Sequence, residues 1–368
     1  MDTSDPDIVF DENGICNHCT EAIKRIEIYK KRKVSTKDLD NLVHHIKTKG
    51  KGKKYDCIVG ISGGVDSCYT AHLVVKNGLR PLLVHMDNGW NSEIAVKNIM
   101  NVVQKLNLDY ESYVIDWQEF REVQLAFLKS SSVDLEIPTD IGIMAAIFET
   151  AAKHNVTTII SGGNDSGEGI LPLSWGYHVM HDMKLYRHIV NKYGKLKLRK
   201  VPHVGMLGEI YYRFVRKIKT YYLLNYVDFN KDLAREFLKE NYGWQDYGGK
   251  HHESKITGFW QGYVMPTKYN MDYRRATYSS QIVSGQITRA EALEKLKSLP
   301  YNPDVVAEQK AYIAKKYNIS VEEMDSYLAL PPKTYKDFPN NKIRNEKMFA
   351  LYNKLFKKNK PADTDFQN

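Results

Sequence analysis

The sequence predicts an α/β protein: a doubly wound parallel sheet with a basic insertion and a helical C-terminal region. Three observations carry that prediction. Between residues 55 and 160, short apolar runs alternate with longer helix-period stretches, the pattern of right-handed βαβ units. The first apolar run, Tyr55 to Ile61, ends in Ser62-Gly63-Gly64-Val65-Asp66-Ser67 before a helical stretch, a strand–turn–helix signature. No secreted-type cysteine framework and no membrane-length apolar run competes with this reading.

Residues 1–20 are loop-like and hold Cys16-Asn17-His18-Cys19, and 21–48 have helical periodicity through Ile23, Ile26, Leu39, Leu42, Val43 and Ile46. Strands are expected at 56–61, 81–86, 110–115 and 156–161, and helices at 66–77, 91–107, 117–130 and 140–154. Residues 162–230 break the alternation and read as an insertion or lid over the carboxyl edge of the sheet. Helices are expected again at 231–240, 255–265, 273–284, 288–297, 303–316 and 320–328, around a Gly-, His- and Lys-rich loop at 243–254. Thr288 and Glu291 have the spacing of a capping box. The expected organisation is 1–50, an N-terminal loop and helix; 51–170, the sheet core; 171–230, the basic insertion; 231–362, a helical region completing the site; and 363–368, a tail.

The chain has 368 residues and a formal net charge of +9. The excess is local: from Lys184 to Lys219 the only carboxylate is Glu209, and a second basic run spans Lys354 to Lys360. Such charge fits nucleic acid, an acidic surface or a multiply charged small substrate. Met1-Asp2-Thr3-Ser4-Asp5 is no signal peptide. With four cysteines and no apolar span, a cytoplasmic protein that does not enter membranes is expected.

Chemistry concentrates where strands end. In 62–67, Gly63 and Gly64 let the backbone turn sharply and bring N–H groups to an anion, and the start of the next helix points at the same place. Ser62 and Ser67 can donate hydroxyl hydrogens to phosphate, and Asp66 can hold Mg²⁺. The Walker A spacing is absent. At the second strand end, the backbone of His85 and Met86 could read adenine. Asp87 could approach ribose or metal, with an Asx turn as the equal alternative. At the fourth, Gly162, Gly163, Asn164 and Glu168 lie in a glycine-rich run suited to close ligand approach. Further on, Lys250, Lys268, Arg274 and Arg275 are the cations expected to neutralise departing pyrophosphate. The adjacent His251, His252 and Glu253 point apart on a loop and suit polar substrate contacts better than a metal.

The hexapeptide 62–67 resembles the pyrophosphate loop (PP-loop) of ATP pyrophosphatases, which implies an adenine nucleotide α-hydrolase-like fold using ATP and Mg²⁺. A narrower resemblance covers residues 1 to about 295. Asp2-Thr3-Ser4-Asp5-Pro6, Phe10-Asp11-Glu12-Asn13-Gly14, Cys16-Asn17-His18-Cys19, Glu168-Gly169-Ile170-Leu171-Pro172, Ser174-Trp175-Gly176-Tyr177, Lys250-His251-His252-Glu253-Ser254, Arg274-Arg275-Ala276 and Ser284-Gly285-Gln286 are similar to the N-acetyl sugar amidotransferases of surface-polysaccharide (lipopolysaccharide O-antigen) synthesis. That family implies conversion of an acetamido group of a nucleotide-linked diacetamido sugar, a uronate, to an acetamidino group. ATP adenylates the amide oxygen, ammonia attacks, and AMP leaves. Ammonia comes from a separate glutaminase through a cyclase-like subunit.

The family also implies a second Cys-x-x-Cys just upstream of the Met-Asp-Thr segment. Cys16 and Cys19 alone give a partial zinc site, half of a tetrahedral set. The rival reading is a tRNA-modifying PP-loop enzyme, which the positive charge favours. Thiolation usually needs a cysteine pair beyond the nucleotide domain, and no cysteine follows Cys68. Nucleic acid is therefore not the expected partner.

Overall fold

A computed structural model describes residues 1–33, 36–176, 182–195, 199–248 and 252–348. Helices α1 (Asn17–Lys33) and α2 (Thr36–Gly50) lead into β1 (Cys57–Gly60), α3 (Val65–Lys76), β2 (Pro81–Asp87), α4 (Glu93–Leu106), β3 (Tyr110–Val114), α5 (Trp117–Ser130), α6 (Ile137–Lys153) and β4 (Thr158–Ser161). Next come the single turn α7 (Asp165–Glu168), α8 (Met183–Tyr193), α9 (Met206–Ile210) and β5 (Lys219–Tyr222). The C-terminal region comprises α10 (Lys231–Tyr242), α11 (Lys255–Phe259), α12 (Met265–Lys268), α13 (Tyr273–Val283), α14 (Arg289–Leu296), α15 (Pro303–Tyr317) and α16 (Val321–Leu328).

The five strands form one parallel sheet in the order β3-β2-β1-β4-β5. The inner strands β1, β2 and β4 are buried and nearly all apolar, as a sheet covered on both faces requires. From β1 the chain winds one way to β2 and β3, then returns to the other side for β4 and β5. The crevice beyond the ends of β1 and β4 is thus the switch point where α/β sheets bind ligands.

Helices α3, α4 and α10 cover one face around Cys68, Val74, Ile99 and Leu238, and α6 covers the other through Ala145, Phe148 and Ala151. A third apolar cluster joins α5 and α8 to the C-terminal helices, bringing Phe120 and Phe127 together with Ile256, Trp260, Tyr317 and Phe338. The C-terminal region therefore shares a core with the sheet layer. The capping box forms, with Thr288 and Glu291 bonded reciprocally at 3.2 and 2.7 Å.

The insertion differs from a simple lid. Amphipathic α8 buries Leu185, Tyr186, Ile189 and Val190 against α5, and Asp182 caps its start. The Glu119 carboxylate, at the start of α5, accepts from the backbone N–H groups of Arg199, Lys200 and Val201 at 2.9, 2.7 and 3.2 Å. The segment then returns to lay β5 along β4. No alternation signals that four-residue edge strand, so its only local cue is its aromatic content. Among the described residues, no helix is long and apolar enough to cross a membrane.

Candidate active site

At the switch point, Gly63 adopts φ of 84°, and a Cβ there would lie 2.3 Å from the Ala95 carbonyl oxygen. Only glycine fits that approach. The Gly63 carbonyl is pinned by Trp244 Nε1 at 2.9 Å, so the C-terminal region fixes the loop from above. Ser67 Oγ accepts from the Ser62 N–H at 3.1 Å, and Ser62 Oγ accepts from the Gly64 N–H at 3.3 Å. No side chain caps α3, whose N-terminus opens on the same space. Gly162 packs on this turn, because its absent Cβ would lie 3.0 Å from the Ser67 nitrogen.

The resulting cavity, of about 190 Å³, is lined by the loop and by Gly162, Gly163, Glu168, Lys231, Tyr247 and Glu253. Asp66 Oδ2 receives the Lys231 ammonium at 3.0 Å, while Oδ1 is buried without a hydrogen-bond partner. An orphaned carboxylate oxygen beside an anion cradle suits a phosphate-bound Mg²⁺. Tyr247 roofs the loop; burial first, then the charges of Glu253 and Asp66, push its hydroxyl pKa up. The site thus joins uncapped amides, the hydroxyls of Ser62 and Ser67, the Lys231 ammonium and the Asp66 carboxylate, a set that suits ATP phosphates with their metal, and its wall also carries Tyr247, Glu168 and Glu253.

Glu253 reaches the cavity through a short antiparallel stitch. The Ser92 N–H donates to the Glu253 carbonyl at 2.8 Å, and the Lys255 N–H to the Trp90 carbonyl at 2.9 Å. The region that begins there has a family of its own. Residues 253–355 match the family described as "LPS biosynthesis protein WbpG-like, C-terminal domain", and residues 35–132, which hold the glycine turn, match "NAD synthase". The chain thus carries an NAD synthase-type PP-loop segment and a C-terminal segment similar to a lipopolysaccharide-biosynthesis domain. No curated protein matches it. Among solved structures it is similar to NMN synthetase from Francisella tularensis, at 16% identity over 81% of this chain and 98% of that one, with a TM-score of 0.37. The NH3-dependent NAD synthetase from Campylobacter jejuni subsp. jejuni NCTC 11168, in complex with the nitrate ion, gives 16%, 83%, 98% and 0.30.

Ser62, Gly63, Gly64, Val65, Asp66, Ser67, Gly162, Gly163 and Glu168 are brought together at the PP-loop. The side chains of the other expected residues in this half of the chain do not line that cavity. His85 is buried, with Nδ1 on the Ile61 carbonyl at 2.8 Å and Nε2 near Asn91 at 2.9 Å. Burial lowers its pKa, and the ring braces the end of β1 against the loop after β2. Met86 packs in the core under Gly142, and Asp87 accepts from the Gly89 N–H at 2.9 Å, forming the Asx turn. Asn164 is the buried cap of α7.

Three of the expected cations have other partners in this structure. Lys268 lies in a different groove, donating to the Tyr327 carbonyl at 3.2 Å, and burial brings its pKa down to about 8. Arg274 clamps Asp272 at 2.7 Å and the Ser298 carbonyl at 3.0 Å, tying α13 to the end of α14. Arg275 pairs with Asp2. None of the three lines the PP-loop cavity. Lys250 lies outside the described residues, as do Gly249, His251 and Tyr177. Lys231, Tyr247 and Glu253 take the places at the cavity. Lys231 opens an ordinary helix and Tyr247 precedes Gly248 by one position, so neither carried a spacing signal.

The zinc expectation is not supported. Among the described residues, no group of three or more His, Cys, Asp or Glu could hold a metal ion. Cys16 is buried, and the Cys19 N–H points at its sulfur at 3.4 Å. Burial, then the neighbouring Cys16, pushes the Cys19 thiol up to about 11. His18 is engaged by Asp5.

Proposed function

We propose that this PP-loop enzyme converts an acetamido group of a nucleotide-linked diacetamido sugar, a uronate, into an acetamidino group. The amide oxygen attacks the α-phosphorus of ATP and pyrophosphate leaves. Ammonia then adds to the activated carbon, and AMP departs with the former amide oxygen. The steps balance, and they answer a real difficulty: an amide carbonyl is a poor electrophile until its oxygen becomes a leaving group. The observation that carries this reading is positional. Glu253, the first residue of the lipopolysaccharide-type domain, lines the same cavity as Asp66 and the PP-loop.

Ammonia is assigned to a separate glutaminase working through a cyclase-like subunit. Cys16, Cys57 and Cys68 are buried, and burial raises the thiol pKa of Cys19, Cys57 and Cys68, so the chain offers no ready glutaminase nucleophile. The purified chain, given ATP, Mg²⁺, ammonium and a panel of nucleotide-linked diacetamido sugars, should form AMP, pyrophosphate and a product with =NH replacing =O by mass spectrometry. Glutamine should not replace ammonium. Turnover with glutamine alone, or AMP release with no change of the sugar, would refute the assignment.

A further inference from the structure

The last step of the crossover from β4 to β5 is a helix. α9 (Met206–Ile210) runs without a break into one wider turn, Tyr211–Val215, and ten residues of helix span about 15 Å. Contacts settle its inner face. Gly208 packs on Val204, where a Cβ would lie 3.2 Å from Val204 Cγ1. The Tyr212 ring stacks on Phe148 of α6, with centroids 5.1 Å apart and planes within 3° of parallel. Arg216 then donates to the Ala152 carbonyl at 2.8 Å, tying the end of this helix to the end of α6. A surface helix held in this way normally turns polar and charged residues outward.

Here the outward face is apolar. Leu207, Ile210, Tyr211, Phe214 and Val215 recur at the spacing of a single helical stripe, and all five are exposed, Leu207 to 81% and Val215 to 65%. Cations flank the stripe at both ends. At its start, Gly205 lies against Met183, the first residue of α8, and Lys184 and Arg187 of that helix are exposed. At its end, Arg216 rests on a neutral carbonyl and keeps its charge, and Lys217 and Lys219 are exposed on either side of buried Ile218. Glu209, the only carboxylate from Lys184 to Lys219, is paired with Arg213 at 2.7 Å. Among the described residues, no ion pair holds Arg187, Lys217 or Lys219.

We propose that this stripe docks on the surface of an anionic lipid bilayer. Charge narrows the partner first. Cations at both ends call for a negative surface, whereas two copies of this chain meeting through the stripe would bring like charges together in either orientation. Size then separates a bilayer from an acidic protein. A stable protein interface takes about 800 Å² and roughly 20–30 residues a side, far more than five side chains on one short helix. An interfacial helix needs only an apolar face to sink into the boundary between headgroups and acyl chains, with basic residues beside it for the headgroups. An apolar stripe and a basic patch are each weak signals, and together they hold a peripheral protein. The helix lies along the bilayer plane, on the membrane rather than across it.

Co-sedimentation of the full chain with vesicles tests this without any substrate, so the result is independent of the proposed reaction. Vesicles of phosphatidylglycerol mixed with phosphatidylcholine should bind the chain about tenfold or more tightly than phosphatidylcholine alone, and raised salt should weaken that binding. Leu207→Ser combined with Val215→Ser should lower affinity for the mixed vesicles roughly tenfold or more. Lys217→Gln and Lys219→Gln should each lower it about fivefold. All four positions are exposed, so the variants should melt as the unaltered chain does, which separates lost docking from lost folding. Equal binding to both kinds of vesicle, or affinity unchanged by the two apolar substitutions, overturns the proposal. No binding to either overturns it too and leaves the face to an acidic protein. A lipid-free dimer in sedimentation equilibrium that Leu207→Ser with Val215→Ser dissociates would assign the stripe to a second copy instead.

Discussion

Lys231 Nζ and Asp66 Oδ2 meet at 3.0 Å from positions 165 residues apart. The pair is partly buried, so the ammonium neutralises Asp66 in the resting site and can turn to phosphate when nucleotide enters. Lys231→Met should lower pyrophosphate release by ~10²-fold or more, with circular dichroism unchanged. Retained activity would return the pyrophosphate-neutralising role to another cation. Asp66 was readable because a short motif binds through its own backbone and nearest side chains. Lys231 was not, since its neighbours in space are remote in sequence. For Arg274 and Arg275, charge and a nearby motif suggested a role, but Asp272 and Asp2 already hold them.

At the scale of elements, dense apolar runs foretold β1, β2 and β4 because inner parallel strands are buried on both faces, while β3, at the far edge, was legible from its place between two helical stretches. Strand β5 escaped notice: it lies at the sheet edge, carries Lys219 and Thr220, and owes its place to the long return through α8 and α9. The glycine turn was legible in a stronger sense, since its geometry excludes every other residue. Gly63→Ala would put a side chain into the left-handed region, costing about 1–2 kcal/mol, before the clash with the Ala95 backbone is counted. The variant should melt at lower temperature and lose ATP turnover. A variant with unchanged melting and activity would show that the turn tolerates a different path.

For the whole molecule, the shared core sets how it unfolds. Phe120 and Phe127 from the sheet layer pack in one cluster with Trp260, Tyr317 and Phe338 from the C-terminal helices. Calorimetry should therefore give a single transition with equal calorimetric and van't Hoff enthalpies. Two resolved transitions would mean the halves melt independently. The stitch between residues 90–92 and 253–255 carries a different consequence, for descent and engineering. The hydrogen bonds that hang the C-terminal region on the sheet also set the wall of the nucleotide cavity. Grafting this region from a relative to recruit a new sugar would therefore fail unless the loop after β2 travelled with it, and natural diversification of the two segments should have been concerted.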